Sequence, residues 1–424
     1  MIKKLINKYK KNKLVRDNLI LFISNFITGV LVFLFHFFIG RSLGPASYGI
    51  IGVILSIVYV FNVPLTTIQT GIANFTAKFK AKKNFNEITY LFKSSIKKLA
   101  IFGTIFLVIF LAISPLIASY IKIKTIYLIS LAPFVLFVFL VPIIRGMLQG
   151  LQKFKSFGLN LLFEGISKLF LGIILILVGL QVNGAVIAIV LSYLIAFFIG
   201  YKSLKKILPK KVKKFNTKEI YKYSIPIILM LIGLTAFYTI DVILVKHFFT
   251  DVKAGYYVAI STLAKVLFFG SYSITQVMFP KVSELYAKKI PHKHLLYKSI
   301  LMMLLFLVPV ILIYFFLPDF IINLVYGKAY LEVSSLLGWF AIVIGLFSLV
   351  YTIAFYQLSI NKTKFLCVLF LFNLLEIALI YIFHESLAQV INILTFLMLS
   401  LFIIMLLQVV FSKDGKTKYN HPSL

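Results

Sequence analysis

Twelve apolar runs, each long enough to cross ~30 Å of hydrocarbon at about 1.5 Å per helical residue, follow one another along the chain. They lie near residues 18–40, 47–73, 97–120, 126–148, 157–180, 184–201, 220–247, 254–280, 294–317, 331–358, 363–383 and 386–411. Inside a bilayer no water satisfies the backbone, so each run must carry its hydrogen bonds internally, as a helix. The predicted fold class is therefore all-α: a polytopic membrane protein of about 12 transmembrane helices. The runs starting at Gly184 and Ser386 follow very short turns, which leaves 11 spans as the alternative count. Residues 1–16 read as a basic arm, and the run behind it is too long for a signal-peptide core, so the first span is expected to be an uncleaved anchor. Composition agrees, because 61% hydrophobic and 13% charged residues leave too little polar surface to clothe a water-soluble chain of this size.

The placement of charge gives the orientation. Lys and Arg number 44 against 12 Asp and Glu, and 36 of the 44 fall in the N-terminal arm, the even-numbered connections and the C-terminal tail. The opposite side holds six, Arg41, Lys122, Lys124, Lys246, Lys253 and Lys328, while Lys168 and Lys265 lie inside spans. This alternation is the positive-inside pattern, and it places both termini in the cytoplasm with the chain in the cell membrane. A nucleic-acid-binding protein would gather its basic residues on one folded surface, so that class is excluded. The single cysteine, Cys367, excludes an intramolecular disulfide and any multi-cysteine metal cluster.

The longest polar stretch, residues 203–219, divides the chain near its midpoint. It predicts an N-terminal six-helix lobe (1–202), a basic cytoplasmic linker (203–219), and a C-terminal six-helix lobe with a short tail (220–424). A shift of 206 places residues 49–79 over 255–285, so that Ser56 meets Thr262 and Thr70 meets Gln276. Near a shift of 208, Gln149 meets Gln357. These correspondences point to two pseudo-symmetric lobes in parallel orientation, related by an axis along the membrane normal.

Six short motifs stand in order along the chain: residues 40–50 (GRSLGPASYGI), 145–154 (RGMLQGLQKF), 223–226 (YSIP), 254–267 (AGYYVAISTLAKVL), 279–285 (FPKVSEL) and 326–330 (YGKAY). In the first, Gly44 and Gly49 permit unusual backbone angles and Pro45 pre-sets one, as a tight turn between spans requires. In this set and order the chain resembles the multidrug/oligosaccharidyl-lipid/polysaccharide exporter superfamily, in its polysaccharide biosynthesis or O-antigen repeat-unit flippase branch. The resemblance implies a two-lobed transporter whose central cavity opens alternately to each side and carries a polyprenyl-linked oligosaccharide outward. The implied partners are that lipid-linked oligosaccharide, membrane lipids and glycan assembly enzymes. The peptidoglycan-precursor flippases of the superfamily usually have two further spans, which this chain lacks, so a surface-polysaccharide lipid is favoured over lipid II.

Ionisable side chains within spans are costly and mark interior or watered positions. Here they are Glu164, Lys168, Asp241, Lys265 and Glu376. Glu164 and Lys168 are four residues apart in the order that favours a same-face ion pair, which is equally the signature of a structural bridge. Asp241 and Lys265 can pair only if the long lysine reaches outward. The shift of 206 sets them over Phe35 and Tyr59, so the scaffold does not need either charge in the other half. Lys265 is the stronger candidate for contact with an anion, Glu376 reads as a carboxylate held by a neighbour, and Arg145 and Arg41 read as interfacial anchors or cavity cations. His36 reads as a core or cavity residue whose pKa range also suits proton coupling.

No P-loop, zinc-protease box or nucleophile elbow occurs in the sequence, so no cofactor or metal is expected and the energy must come from a gradient or a partner. Three classes of function follow. A glycan-lipid flippase suits a cation-rich cavity. A cation-coupled exporter of drugs or metabolites would show acidic residues without matching lysines. A membrane polymerase or ligase would need a large outer loop, which the spacing of the spans does not provide. In a chain with Cys367→Ser, single cysteines at Lys124 and Lys328 will react with an impermeant thiol reagent on intact cells. Cysteines at Lys211 and Lys289 will react only after permeabilisation, and the reverse pattern overturns the orientation.

Overall fold

The computed structural model describes residues 13–205, 207–209, 212–213 and 225–411. The basic arm to residue 12, most of the 203–219 linker, and Tyr223 with Ser224 of the third motif, YSIP, lie outside the described residues. Among the described residues every regular element is helical. Helix α1 (Lys13–Ala81) runs past Gly44, whose φ of 73° and ψ of 176° break it in two. Two observations show that the chain folds back there. The apolar part, Leu19–Ala81, is 63 residues long, roughly three times what the bilayer accepts as one straight helix. In addition, His36 Nδ1 lies 3.0 Å from the Tyr48 hydroxyl, although 12 residues of straight helix would separate them by ~18 Å along the axis. Glycine tolerates this left-handed φ, and the following proline favours extended ψ, as the sequence predicts.

Helices α2 (Phe85–Tyr120) and α3 (Thr125–Gly150) follow. The next reversal joins α4 (Phe154–Leu175) to α5 (Gln181–Lys205) through a π-helical turn, Ile176–Leu180. Gly179 at φ 97° and Gln181 at φ 46° break the helical path, which explains how span six begins with almost no loop before it. Then come α6 (Ile225–Ala236), α7 (Ile240–Phe248), α8 (Asp251–Ala287), α9 (Lys293–Phe316) and the short α10 (Pro318–Val325). A 3-10 segment (Lys328–Leu336) leads into α11 (Leu337–Ser359), α12 (Phe365–Ile382) and α13 (Leu387–Val410). Ten of the described helical stretches are long and apolar enough to span, with α6 and α7 counted as one stretch. The two that fold back, α1 and the α4–α5 pair, each supply two crossings, so the predicted twelve are all present.

The chain forms two compact units. The first comprises Met1–Ala259 with Ile322–Glu332. At its core Ile72, Leu91, Ile143, Ile144, Met147 and Leu204 pack the second half of α1 against α2, α3 and α5. Small residues allow backbones to approach in membranes, where apolar burial between helices gives little drive. Gly146 and Gly150 of the RGMLQG motif are four apart and face the Gln69 and Ala73 carbonyls; a Cβ at either glycine would stand 2.5 Å from its carbonyl. The second such contact joins positions that the repeat makes equivalent: a Cβ on Gly49 would lie 2.7 Å from the Gly255 nitrogen, and one on Gly255 would overlap the Pro45 carbonyl.

The second unit comprises Ile260–Ile321 with Val333–Leu424. Its central helix is α11, the most buried of the spanning stretches, whereas α9 is largely lipid-facing. The Thr275 and Thr352 hydroxyls meet at 2.6 Å, Tyr314 donates to the Leu263 carbonyl at 3.1 Å, and His292 Nδ1 lies 2.8 Å from the Tyr356 hydroxyl.

Gly255→Ala will lower the thermal midpoint of the purified protein by several degrees, because overpacking a rigid backbone contact costs about 1–3 kcal/mol. Gly29→Ala, at a helical position with nothing within 4 Å, will leave the midpoint unchanged or slightly raised. Size-exclusion profiles after graded heating provide the comparison.

Candidate functional site

The first unit holds one polar cluster inside its spans, assembled from α3, α4 and α5. The close approach of α3 to α1 at Gly146 and Gly150 fixes the turn that carries Arg145. From there Arg145 Nε donates to Asn160 Oδ1 at 3.0 Å, and its Nη2 pairs with Glu164 Oε2. Lys168 Nζ, one turn further along α4, stands 3.7 Å from the other Glu164 oxygen and 5.9 Å from the centre of the Tyr193 ring. Asn160 is held in place by donating to the Ala196 carbonyl at 2.6 Å, and the Tyr193 hydroxyl donates to Asn62 Oδ1 at 2.7 Å. The three charged side chains are only 11–13% exposed. Two cations thus share one carboxylate, which leaves the cluster with a net positive charge in a medium that screens it poorly.

The structure brings Arg145, Glu164 and Lys168 together and places the other predicted residues elsewhere. Asp241 is 2% exposed in the first turn of α7, where the positive helix end favours a carboxylate, and it accepts a hydrogen bond from Tyr257 at 2.7 Å. Arg41 is exposed beside the Gly44 turn, donates to the Leu324 carbonyl at 3.2 Å and lies over the Phe37 ring. Glu376 is fully buried on α12 with Asn373 one turn before it. Lys265 lies half-buried on α8, in the second unit. His36 is buried and reaches, through Tyr48, the Tyr326 hydroxyl, 3.1 Å from that of Tyr48.

The motifs assemble the end of the first unit that holds the Gly44 turn. Gly327 takes a φ of 90° and closes α10 with hydrogen bonds to Ile322 and Asn323, Tyr330 donates to the Gly40 carbonyl at 2.7 Å, and Gly40 has room only for hydrogen against the Tyr326 ring. Lys246, which the sequence reading counts on the same side as Lys122, lies at that end of the helices but out of solvent: it is 1% exposed, 2.7 Å from Asp251 and donating to the Ile121 and Lys122 carbonyls at 3.1 and 3.2 Å. The neighbouring His247 stacks on Tyr120 with ring centres 4.1 Å apart. An acid five residues after a lysine across a short turn was the available signal. Sequence reasoning also passed over Asn62, Asn160 and Tyr193, uncharged polar groups whose presence in apolar spans was visible but whose partners were not.

The family model described as "Polysaccharide biosynthesis protein" matches residues 38–335. An uncharacterized membrane protein of Methanocaldococcus jannaschii is 26% identical over 292 residues, which cover 64% of this chain and 68% of that one. The inward-facing conformation of a multidrug resistance MATE family transporter of the MOP superfamily superposes with a TM-score of 0.74 at 11% identity, covering 90% of this chain and 94% of its own. The lipid II flippase MurJ, in an inward closed conformation, gives 0.73 at 16% identity, covering 92% of this chain and 87% of its own.

Removing one partner from a buried pair strands the other, which costs about 3–5 kcal/mol, whereas neutralising both costs less. Glu164→Gln, which strands both Arg145 and Lys168, will therefore lower the thermal midpoint more than Arg145→Gln, which leaves Glu164 beside Lys168. Equal losses would show that Glu164 does not hold the two cations together.

Proposed function

We propose, because the chain belongs to the polysaccharide biosynthesis protein family of the multidrug/oligosaccharidyl-lipid/polysaccharide exporter superfamily, that it flips a polyprenyl-phosphate-linked oligosaccharide from the cytoplasmic to the outer leaflet. The observation that carries this reading is the excess of cation in the membrane-embedded cluster, with Arg145 and Lys168 around the single carboxylate of Glu164. A hydrated sugar phosphate cannot enter hydrocarbon unaided, so its carrier must offer polar groups at depth while the prenyl chain stays in lipid. Cations suit the phosphate. A carrier of cationic drugs would have the opposite balance.

In this reading Arg145 and Lys168 present positive charge, Glu164 holds them apart and oriented, and Lys265 is a further phosphate contact on α8. Glu376 and Asp241 supply buried carboxylates for a coupling cation, and Arg41 braces the outer turn. Glycan assembly enzymes are the partners that would deliver the substrate.

Expression in a cell lacking its own repeat-unit flippase will restore surface polysaccharide when the sugar is one the protein accepts. Lys265→Ala will insert normally yet abolish restoration, and Lys265→Arg will keep part of it, because a second cation can still meet phosphate. Full restoration by Lys265→Ala removes that residue from the site. Failure with several glycans, together with raised drug resistance, replaces the flippase reading with the exporter one.

A further inference from the structure

Beside the outer end of the first unit lies a cavity of about 290 Å³, lined by Val53 and Ile57 of α1, Leu116, Ile117 and Tyr120 of α2, Ile121, and Ile243 of α7. Apart from the Tyr120 hydroxyl its lining side chains are hydrocarbon. Val53 and Ile121 at its back are fully buried, whereas Leu116 is 74% exposed and Tyr120 41%. The cavity therefore opens sideways, toward the lipid that surrounds the spans. At about 30 Å³ for each water-sized volume it holds roughly ten such groups, the bulk of one hydrocarbon chain segment.

The turn that follows Ile121 carries a different chemistry. Only six Lys and Arg were placed on the outer side by the charge pattern, and Lys122, Lys124 and Lys246 belong to the ends of the helices that line this cavity. Lys246 is engaged, with Asp251 and the carbonyls of Ile121 and Lys122. Lys122 and Lys124 are exposed in the turn between α2 and α3, and no acidic residue occurs between Glu87 and Glu164. The α2–α3 hairpin thus ends in two ammonium groups without an acid of its own, one and three residues beyond the apolar wall at Ile121.

We propose that this cavity is the outer-leaflet seat of a single-chain prenyl phosphate, its chain in the apolar slot and its phosphate on Lys122 and Lys124. The inference rests on the flippase reading for the origin of the lipid and extends it to where the carrier dwells on the outer side. The slot takes one chain, so a single-chain lipid fills it without leaving a second chain outside. A terminal phosphate or pyrophosphate carries more charge than the diester of a phospholipid, and two exposed ammonium groups reward that difference. The lipid would also lie directly under the Lys246 and His247 contacts.

The full-length protein in phosphatidylcholine nanodiscs, with radiolabelled geranylgeranyl phosphate as probe, tests this. Saturable binding is expected in the wild type. Lys122→Gln/Lys124→Gln, on the surface and safe for folding, will weaken it roughly 10-fold or more. Leu116→Trp, at the exposed mouth, will weaken it by obstructing the slot without touching a charge. The proposal is overturned by absence of saturable binding, by unchanged affinity in both cavity variants, or by phosphatidylglycerol competing as well as unlabelled prenyl phosphate, which marks an ordinary boundary-lipid site. Saturable, lysine-dependent binding in a protein that fails every glycan restoration leaves the seat standing and sinks the flippase reading alone.

Discussion

Backbone proximity between α1 and α8, just past the Gly44 turn, is the contact on which the rest of the first unit depends. Gly49 and Gly255 lie where each would need a side chain to pass through the other's backbone, and the Pro45 carbonyl occupies the space a larger residue at 255 would require. In lipid, where apolar side chains gain nothing by leaving hydrocarbon for one another, such approach supplies dispersion and defines a unique register. The Gly44 reversal, Tyr326 just after α10, Tyr330 of the 3-10 segment and the end of α2 close around it.

The repeat gives that contact a further meaning. Gly49 and Gly255 correspond at a shift of 206, and they meet within the first compact unit. Packing groups the chain by contact and not by order: Ile322–Glu332, distant in sequence, belongs to that same unit.

Much of this was legible in the residues. Spans follow from length and hydropathy because the bilayer leaves the backbone no choice but a helix, and the Gly44 turn follows from a glycine before a proline at a run boundary. The Glu164–Lys168 pair follows from spacing alone. Arg145 was harder: near the end of an apolar run it resembles an interfacial anchor, and only the distant Asn160 and Glu164 show otherwise. The burial of Lys246 was equally invisible, since charge counting assigns a lysine to a side of the membrane but not to acceptors 125 and 124 residues away, the Ile121 and Lys122 carbonyls. Local patterns report what a residue prefers. They do not report which neighbour tertiary packing will provide.

The seat of Lys246 also sets how firmly the ends of α2 and α7 hold together. An ammonium withdrawn from water forfeits several kcal/mol of hydration, and its carboxylate and two carbonyls return about that much. Attraction and desolvation nearly cancel, so the interaction is geometrically exacting and energetically shallow. Water reaching the site would compensate the lysine for every contact it gave up. A closure built on such a residue specifies one arrangement sharply without committing the protein to it, as a hydrophobic plug of the same size would.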